Sequence, residues 1–231
     1  MSIYAIADLH LSLYKHKPMD IFGDNWKDHH LKIQQNWNST VTDNDTVLVA
    51  GDISWAMNMT EFAPDLEFLR TLNGKKVFTS GNHDYWWASV QTLNSLDENM
   101  YFIRTNYYPL GDFAVCGTRG WVCPNDTMYE PRDEKIFRRE CIRLEMSLQA
   151  AQKAGYDKFI VMLHYPPAND KCEHSAFMDI IEKYGVKTVV YGHLHAPAAH
   201  ATGISGNVNG TNYYLTASDY LDFRPLQINI Y

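Results

Sequence analysis

Residues 46–52 read TVLVAGD: an unbroken apolar run that stops at Gly51-Asp52. Other runs follow the same grammar: SIYAIADLH at 2–10, KVFTSGNHD at 76–84, KFIVMLH at 158–164 and KTVVYGHLH at 187–195. A run without polar alternation is what a strand needs when both of its faces are buried, as in a parallel sheet covered by helices. Between the runs lie stretches of helical spacing at 25–41, 60–72, 85–96, 132–154 and 175–184, the third carrying its aromatic residues at 85–87. Strand and helix therefore alternate, which predicts an α/β fold (α+β by some schemes) with parallel strands and outer helices. Further short strands are expected at 100–104, 113–116 and in the tail, 212–231, and these call for a second sheet.

No linker, low-complexity tract or internal repeat interrupts the chain, so residues 1–231 read as one domain. Hydrophobic residues make up 45% and charged residues 20%, a globular and not a disordered balance. The formal charge of −7 argues against a protein that grips long nucleic acid by bulk charge, but it leaves a small phosphate substrate open. No apolar run approaches the ~20 residues of a membrane span. The first run is too short, and lacks a basic lead, for a signal peptide. Cys116, Cys123, Cys141 and Cys172 show no CxxC spacing and read as reduced thiols, in keeping with the cytoplasm.

Every apolar run ends in polar residues of one chemical kind. Asp8 and His10 follow the first, Asp52 the second, Asn82-His83-Asp84 the third, and His164, then His193 and His195, the last two. In open α/β sheets the crevice beyond the carboxyl ends of the strands is where ligands bind, so these groups should converge. Asp8 and His10, like His193 and His195, are two residues apart and share a side if the chain is extended. Carboxylates, imidazoles and an amide oxygen without a thiolate suit manganese, iron or zinc, and are too rich in imidazole for calcium. So many such groups exceed the needs of one ion and suit two that share a bridge. Any one of them alone reads more readily as a turn residue or helix cap; the five clusters at five strand ends do not.

The ordered set DLH, GD, GNHD, H and GHLH resembles the calcineurin-like metallophosphoesterase superfamily over most of the chain. Further stretches, KPMDIFGDNW (17–26), GNHDYWW (81–87), GTRGW (117–121) and HYPP (164–167), resemble a bacterial phosphohydrolase branch of it. The resemblance implies a two-sheet sandwich flanked by helices and a dinuclear centre of two divalent or trivalent ions, manganese, iron or zinc. It implies that Asp8, His10 and His195 hold one ion, that Asn82, His164 and His193 hold the other, and that Asp52 bridges them. His83 would be the catalytic histidine beside the leaving group, with Asp84 orienting it. The implied activity is hydrolysis of a small phosphomonoester or phosphodiester by a hydroxide bridging the ions.

Two departures bear on the substrate. GNHD stands where protein phosphatases of this fold carry GNHE, and GDISWAMN lacks their arginine, so a protein substrate is disfavoured; a cyclic-nucleotide or other nucleotide phosphodiesterase is the alternative. A non-catalytic scaffold on the same fold is the rival class, against which every motif position is filled. Arg119 and Trp86 are candidate substrate contacts, the first as a phosphate clamp and the second, with Trp55, Tyr85, Trp87 and Trp121, as a stacking surface. His29 and His30 are open between packing and the site. His16, His174 and His200 are expected to be exposed. Asp219 and Asp222 fall where relatives close the cleft with a loop.

Overall fold

The computed structural model describes all residues except 16 and 231. Two sheets stack face to face. In the first, β1 (Ile3–Ile6), β2 (Thr46–Ala50), β3 (Lys75–Thr79) and β4 (Met100–Ile103) run parallel, and β11 (Leu226–Gln227) pairs antiparallel along β1. The second contains β5 (Tyr107–Leu110), β6 (Phe113–Thr118), β7 (Lys158–Leu163), β8 (Thr188–Tyr191), β9 (Gly206–Val208) and β10 (Thr211–Leu215). Its order is β5-β6-β7-β8-β10-β9, with parallel strands inside and antiparallel pairs at both edges. The helices are α1 (His29–Thr40), α2 (Met59–Arg70), α3 (Val90–Leu93), α4 (Asp133–Lys153), α5 (Ala176–Lys183) and α6 (Ala196–His200).

The unbroken apolar runs are explained by the layering. Alternate residues of a strand point to opposite faces. Ile3, Ala5 and Ala7 of the β1 segment and Leu48 and Ala50 of β2 join Val115, Ile160, Met162 and Val190 of the second sheet in one core between the sheets. The intervening Ile6, Val47 and Val49 belong to another core with Ile33, Trp37, Phe62 and Leu69. The second sheet repeats the plan, with Cys116, Val161 and Val189 packed with Phe137, Leu144, Leu148 and Phe177. Neither face of a central strand meets water.

The sequence reading holds for the central strands and differs at four places. The helix expected over 85–96 shrinks to α3, because Tyr85 N–H bonds the His83 carbonyl and Trp87 N–H the Asp84 carbonyl, which winds 83–87 into turns. The helix expected over 25–41 starts only at His29, after a 3₁₀ turn at Asp24–Trp26 and a left-handed Asp28. The β5 strand escaped notice because it contains Pro109, which an edge strand tolerates. The second sheet is not an appendage of extra strands; the whole second β-α half of the chain builds it.

Within each sheet the parallel strands end on one side. The stretches after β1, β2, β3, β7 and β8 carry the polar clusters. The two sheets are tied there by the Ala7 N–H, which donates to the Thr216 carbonyl at 2.7 Å, and by the Ser218 N–H to the Ala7 carbonyl at 3.1 Å. Leu48 lies fully buried between the sheets. Leu48→Ala is expected to lower stability by about 2–5 kcal/mol, read in urea unfolding as a lower midpoint with an unchanged slope.

Candidate metal centre

The strand ends do not simply continue as extended chain. Asp8, His10, Asp52 and His193 all take positive φ (60°, 45°, 50° and 74°), a region that costs non-glycine residues energy. Backbone bonds hold them there: Asp8 N–H to the Gly51 carbonyl at 2.9 Å and His10 N–H to the Asp52 carbonyl at 3.0 Å. Two glycines make room for the carboxylates. A side chain at Gly81 would collide with the Asp52 carboxylate, and one at Gly192 with that of Asp8.

Each carboxylate is divided between two tasks. Asp8 Oδ2 accepts the His193 N–H at 2.9 Å, and Asp52 Oδ1 accepts the His83 N–H at 2.8 Å. These bonds cross between strand ends and leave Asp8 Oδ1 and Asp52 Oδ2 facing the histidines. On one side, His195 Nε2 lies 3.6 Å from Asp8 Oδ1 and 3.3 Å from His10 Nε2, which is 3.8 Å from Asp52 Oδ2. On the other, His164 Nε2 lies 3.5 Å from Asp52 Oδ2, 2.8 Å from Asn82 Oδ1 and 3.2 Å from His193 Nδ1. Two sets of candidate ligand atoms, Asp8/His10/His195 and Asp8/Asp52/His164, each fall within 4.8 Å of one another.

The proton inventory shows what such a cluster needs. His164 Nδ1 faces the Ala50 carbonyl at 3.1 Å and must donate to it, so Nε2 carries a lone pair. That lone pair meets the oxygen of Asn82 and the carboxylate of Asp52, acceptor against acceptor. His195 Nδ1 likewise faces Asp219 Oδ1 at 2.9 Å and turns Nε2 toward Asp8. Asp8 Oδ1 is fully buried and receives no hydrogen bond. A buried space in which acceptors outnumber donors favours cations. The donor set, nitrogen and oxygen without thiolate, fits a pair of metal ions of the borderline class.

The histidines of the cluster differ in protonation. Burial, then neighbouring histidines, hold His10 well below the usual imidazole range; burial does the same for His164 and carries His193 down to about 3. Asp52 is pushed well up by burial and by the nearby Asp84 and Asp8 carboxylates. At His195 burial opposes the charge, but Asp8 and Asp219 outweigh it and raise the pKa to about 10.

His83 stands at the rim, its side chain 34% exposed and its Nε2 3.9 Å from Asp52 Oδ2. Its ring packs on Trp55 at 4.1 Å, and Trp55 in turn stacks on His10 at 5.0 Å. Burial and the Lys17 ammonium bring its pKa down to about 4. Asp84 does not orient it. Asp84 Oδ1 accepts from the N–H groups of Ile53 and Ser54 and from the Trp86 indole, and Oδ2 accepts from Gly81 N–H. This carboxylate staples the GNHD turn to the GDIS loop. Trp86 is likewise no substrate contact: it is 2% exposed and stacked on Phe62 at 3.6 Å.

Other candidates sort by position. Asp219 reaches the centre through His195, and also accepts the Ala196 N–H at 2.9 Å; Asp222 is exposed. His29 is buried with its ring nitrogens on the carbonyls of His10 and Trp26, so it props the His10 backbone. His30 packs near Phe68 instead. His174 is exposed as expected. His200 is not: it tucks beside Asp219 and Tyr220. His16 lies outside the described residues. Arg119 sits near the second histidine set, its carbonyl accepting from the N–H groups of His164 and Tyr165, but its guanidinium leans on Trp121 and toward Glu140. Sequence reasoning missed two neighbours. Tyr165 covers His193 with ring centroids 4.0 Å apart, and HYPP was its only signal. Lys17, with Nζ 3.1 Å from the Trp55 ring centre, follows no periodic pattern.

The family described as calcineurin-like phosphoesterase matches residues 1–197. The chain belongs to this family. It is 34% identical over 169 residues to an uncharacterized protein of Methanocaldococcus jannaschii, an alignment covering 70% of this chain and 90% of that protein. Among solved structures, the phosphopantetheinyl hydrolase of Mycobacterium tuberculosis superposes with a TM-score of 0.55 at 14% identity, covering 98% of this chain and 95% of that one. A protein of unknown function from Aquifex aeolicus reaches a TM-score of 0.47 at 17% identity over the same shares. The family, with two mixed sheets flanked by helices, agrees with the architecture implied by the motifs.

Because Asp84 serves backbone amides, Asp84→Asn is expected to cost about 1–3 kcal/mol of stability by setting an amide N–H₂ against N–H donors. Any loss of turnover should then be the same for phosphate esters with good and poor leaving groups. Thermal unfolding and a leaving-group series measure both.

Proposed function

We propose that the chain is a metal-dependent hydrolase of a small phosphate ester. Asp8, His10 and His195 would hold one ion, Asn82, His164 and His193 a second, with Asp52 shared. The observation that carries this reading is the His164 Nε2 lone pair set 2.8 Å from Asn82 Oδ1 and 3.5 Å from Asp52 Oδ2, an arrangement of facing acceptors that a cation would relieve. Two such ions supply Lewis acidity toward phosphoryl oxygens and lower the pKa of water.

The protein's own groups place the rest of the substrate. A cleft of about 420 Å³ borders the centre at His193 and is lined by Trp121, Tyr165, Met128 and Leu194 among others. Its size and mixed walls suit a small alcohol group with an apolar or aromatic part. His83 stands on the opposite, Trp55 side of the centre, with Lys17 beside it. Its neutral imidazole can donate a hydrogen bond through its ring N–H to a departing alkoxide, while the Lys17 ammonium adds positive charge near the phosphoryl group.

The test is hydrolysis of nitrophenyl phosphate by protein freed of metal with a chelator and then resupplied with manganese, alongside its bis-ester and cyclic nucleotides. Activity should vanish on chelation and return with manganese. A fully loaded protein inert toward all three substrates would overturn the reading. His83→Ala should keep both ions, since no proposed ligand is lost, yet lower kcat by about 10²–10⁴. The deficit should shrink for acidic leaving groups, and metal counting by mass spectrometry with a leaving-group series checks both halves.

A further inference from the structure

A second cavity, of about 210 Å³, lies on the other side of the GNHD turn. Arg104, Arg119, Arg139 and Arg143 line it, together with Glu140 and Trp87. The arginines come from three places: Arg104 just after β4, Arg119 just after β6, and Arg139 and Arg143 one turn apart on α4. They are four of the eight arginines in a chain whose net charge is −7. Like charges one turn apart on a helix repel, so this gathering works against the stability of the empty fold.

The counter-charge does not balance it. Glu140 is buried and single. Its Oε1 receives Arg143 Nη1 at 2.6 Å and Arg139 Nε at 3.3 Å, with Arg119 Nη2 at 3.9 Å, and its Oε2 is taken by the Thr118 hydroxyl at 2.6 Å. Arg104 has no carboxylate within ion-pair distance among the described residues. Asp84 also borders the cavity, but four N–H donors occupy its oxygens. Four guanidinium groups thus face two carboxylates. Two further donors on the lining residues, Arg119 Nε and Trp87 Nε1, are buried without an acceptor among the described residues. Excess donors and about two uncompensated positive charges around a half-open polar recess describe the complement of a dianion. Planar guanidinium forks match phosphoryl oxygens in particular.

The cavity also has an address. Gly81, next to Asn82, is part of its wall, and the Arg119 carbonyl holds the backbone of His164 and Tyr165 at 3.0 Å. We propose that the four-arginine cavity is a phosphoryl-dianion site, distinct from the metal centre and adjoining it, filled either by a second phosphate of the substrate or by a free phosphate ligand. Binding there does not depend on the hydrolase reading; only the choice between the two sources does.

The experiment is calorimetric titration of inorganic phosphate into the full chain as isolated, compared with Arg104→Gln and Arg139→Gln. Both side chains are exposed and neither is the closest partner of Glu140, so the variants are expected to fold, which circular dichroism checks. The wild type should bind one phosphate more than the double variant, or bind it at least tenfold more tightly, whether or not the metal centre takes phosphate of its own. Equal stoichiometry and affinity in the two proteins would overturn the proposal. A second arm compares kcat/KM for a bis-phosphorylated and a mono-phosphorylated ester. If the advantage of the bis-phosphate falls at least tenfold in the variants, the site reads the substrate's second phosphate. If phosphate binding is lost while that ratio stays constant, the ligand is free phosphate.

Discussion

The centre depends on how two buried carboxylates divide their oxygens. Asp8 and Asp52 each give one oxygen to the backbone N–H of a residue in another motif, His193 and His83 respectively. Each keeps the other oxygen facing imidazoles. The first half of this arrangement locks the loops after β1, β2, β3 and β8 to one another, so that the two sheets meet at a fixed place. The second half sets buried carboxylate oxygens and neutral imidazoles against a single protonated ring, His195, so acceptors outnumber donors. Folding thereby assembles a charge problem that a cation solves. That separates this site from a hydrogen-bonded polar core, where donors and acceptors would match.

Much of the surrounding chemistry serves that geometry. Four of the site residues sit at positive φ, and glycines at 81 and 192 leave space where a side chain would displace a carboxylate. Asp84 uses its oxygens to tie the turn that carries Asn82 and His83 to the loop of Ile53 and Ser54. Asp219 fixes the tautomer of His195, and the Ala50 carbonyl fixes that of His164. Asp8, Asp52, His164 and His195 each have a partner that sets which of their atoms faces inward. Strained backbone and a rigid shell around it are the expected companions of such a site.

The charge distribution is uneven. The chain is acidic as a whole, yet its metal-centre rim and the adjoining cavity hold Lys17 and four arginines. An acidic exterior with cationic recesses focuses small anions into the recesses and leaves long polyanions unattracted. A half-apolar cleft on the His193 side completes the surroundings with a place for an uncharged group. The three recesses share the ends of the same parallel strands, which is where an α/β topology leaves space between its loops.

The sequence alone determined the fold class and pointed to the candidate ligands. Unbroken apolar runs such as TVLVA and KFIVML can be satisfied only by burial on both faces, and Asp8, His10, Asp52, Asn82, His164, His193 and His195 follow such runs directly. Both signals are local, so both were legible. What the tertiary structure decided is which atom touches which. Asp84 lies next to His83 in sequence, yet turns at 83–87 send it to Ile53, Ser54 and Gly81. Trp86, in the same turn, meets Phe62 instead of a ligand. Asp219 reaches His195 from 24 residues away, and the four arginines meet only because β4, β6 and α4 pack at one corner. Contacts of this kind are set by chain crossings over long sequence separations, and no periodicity or motif spacing encodes them.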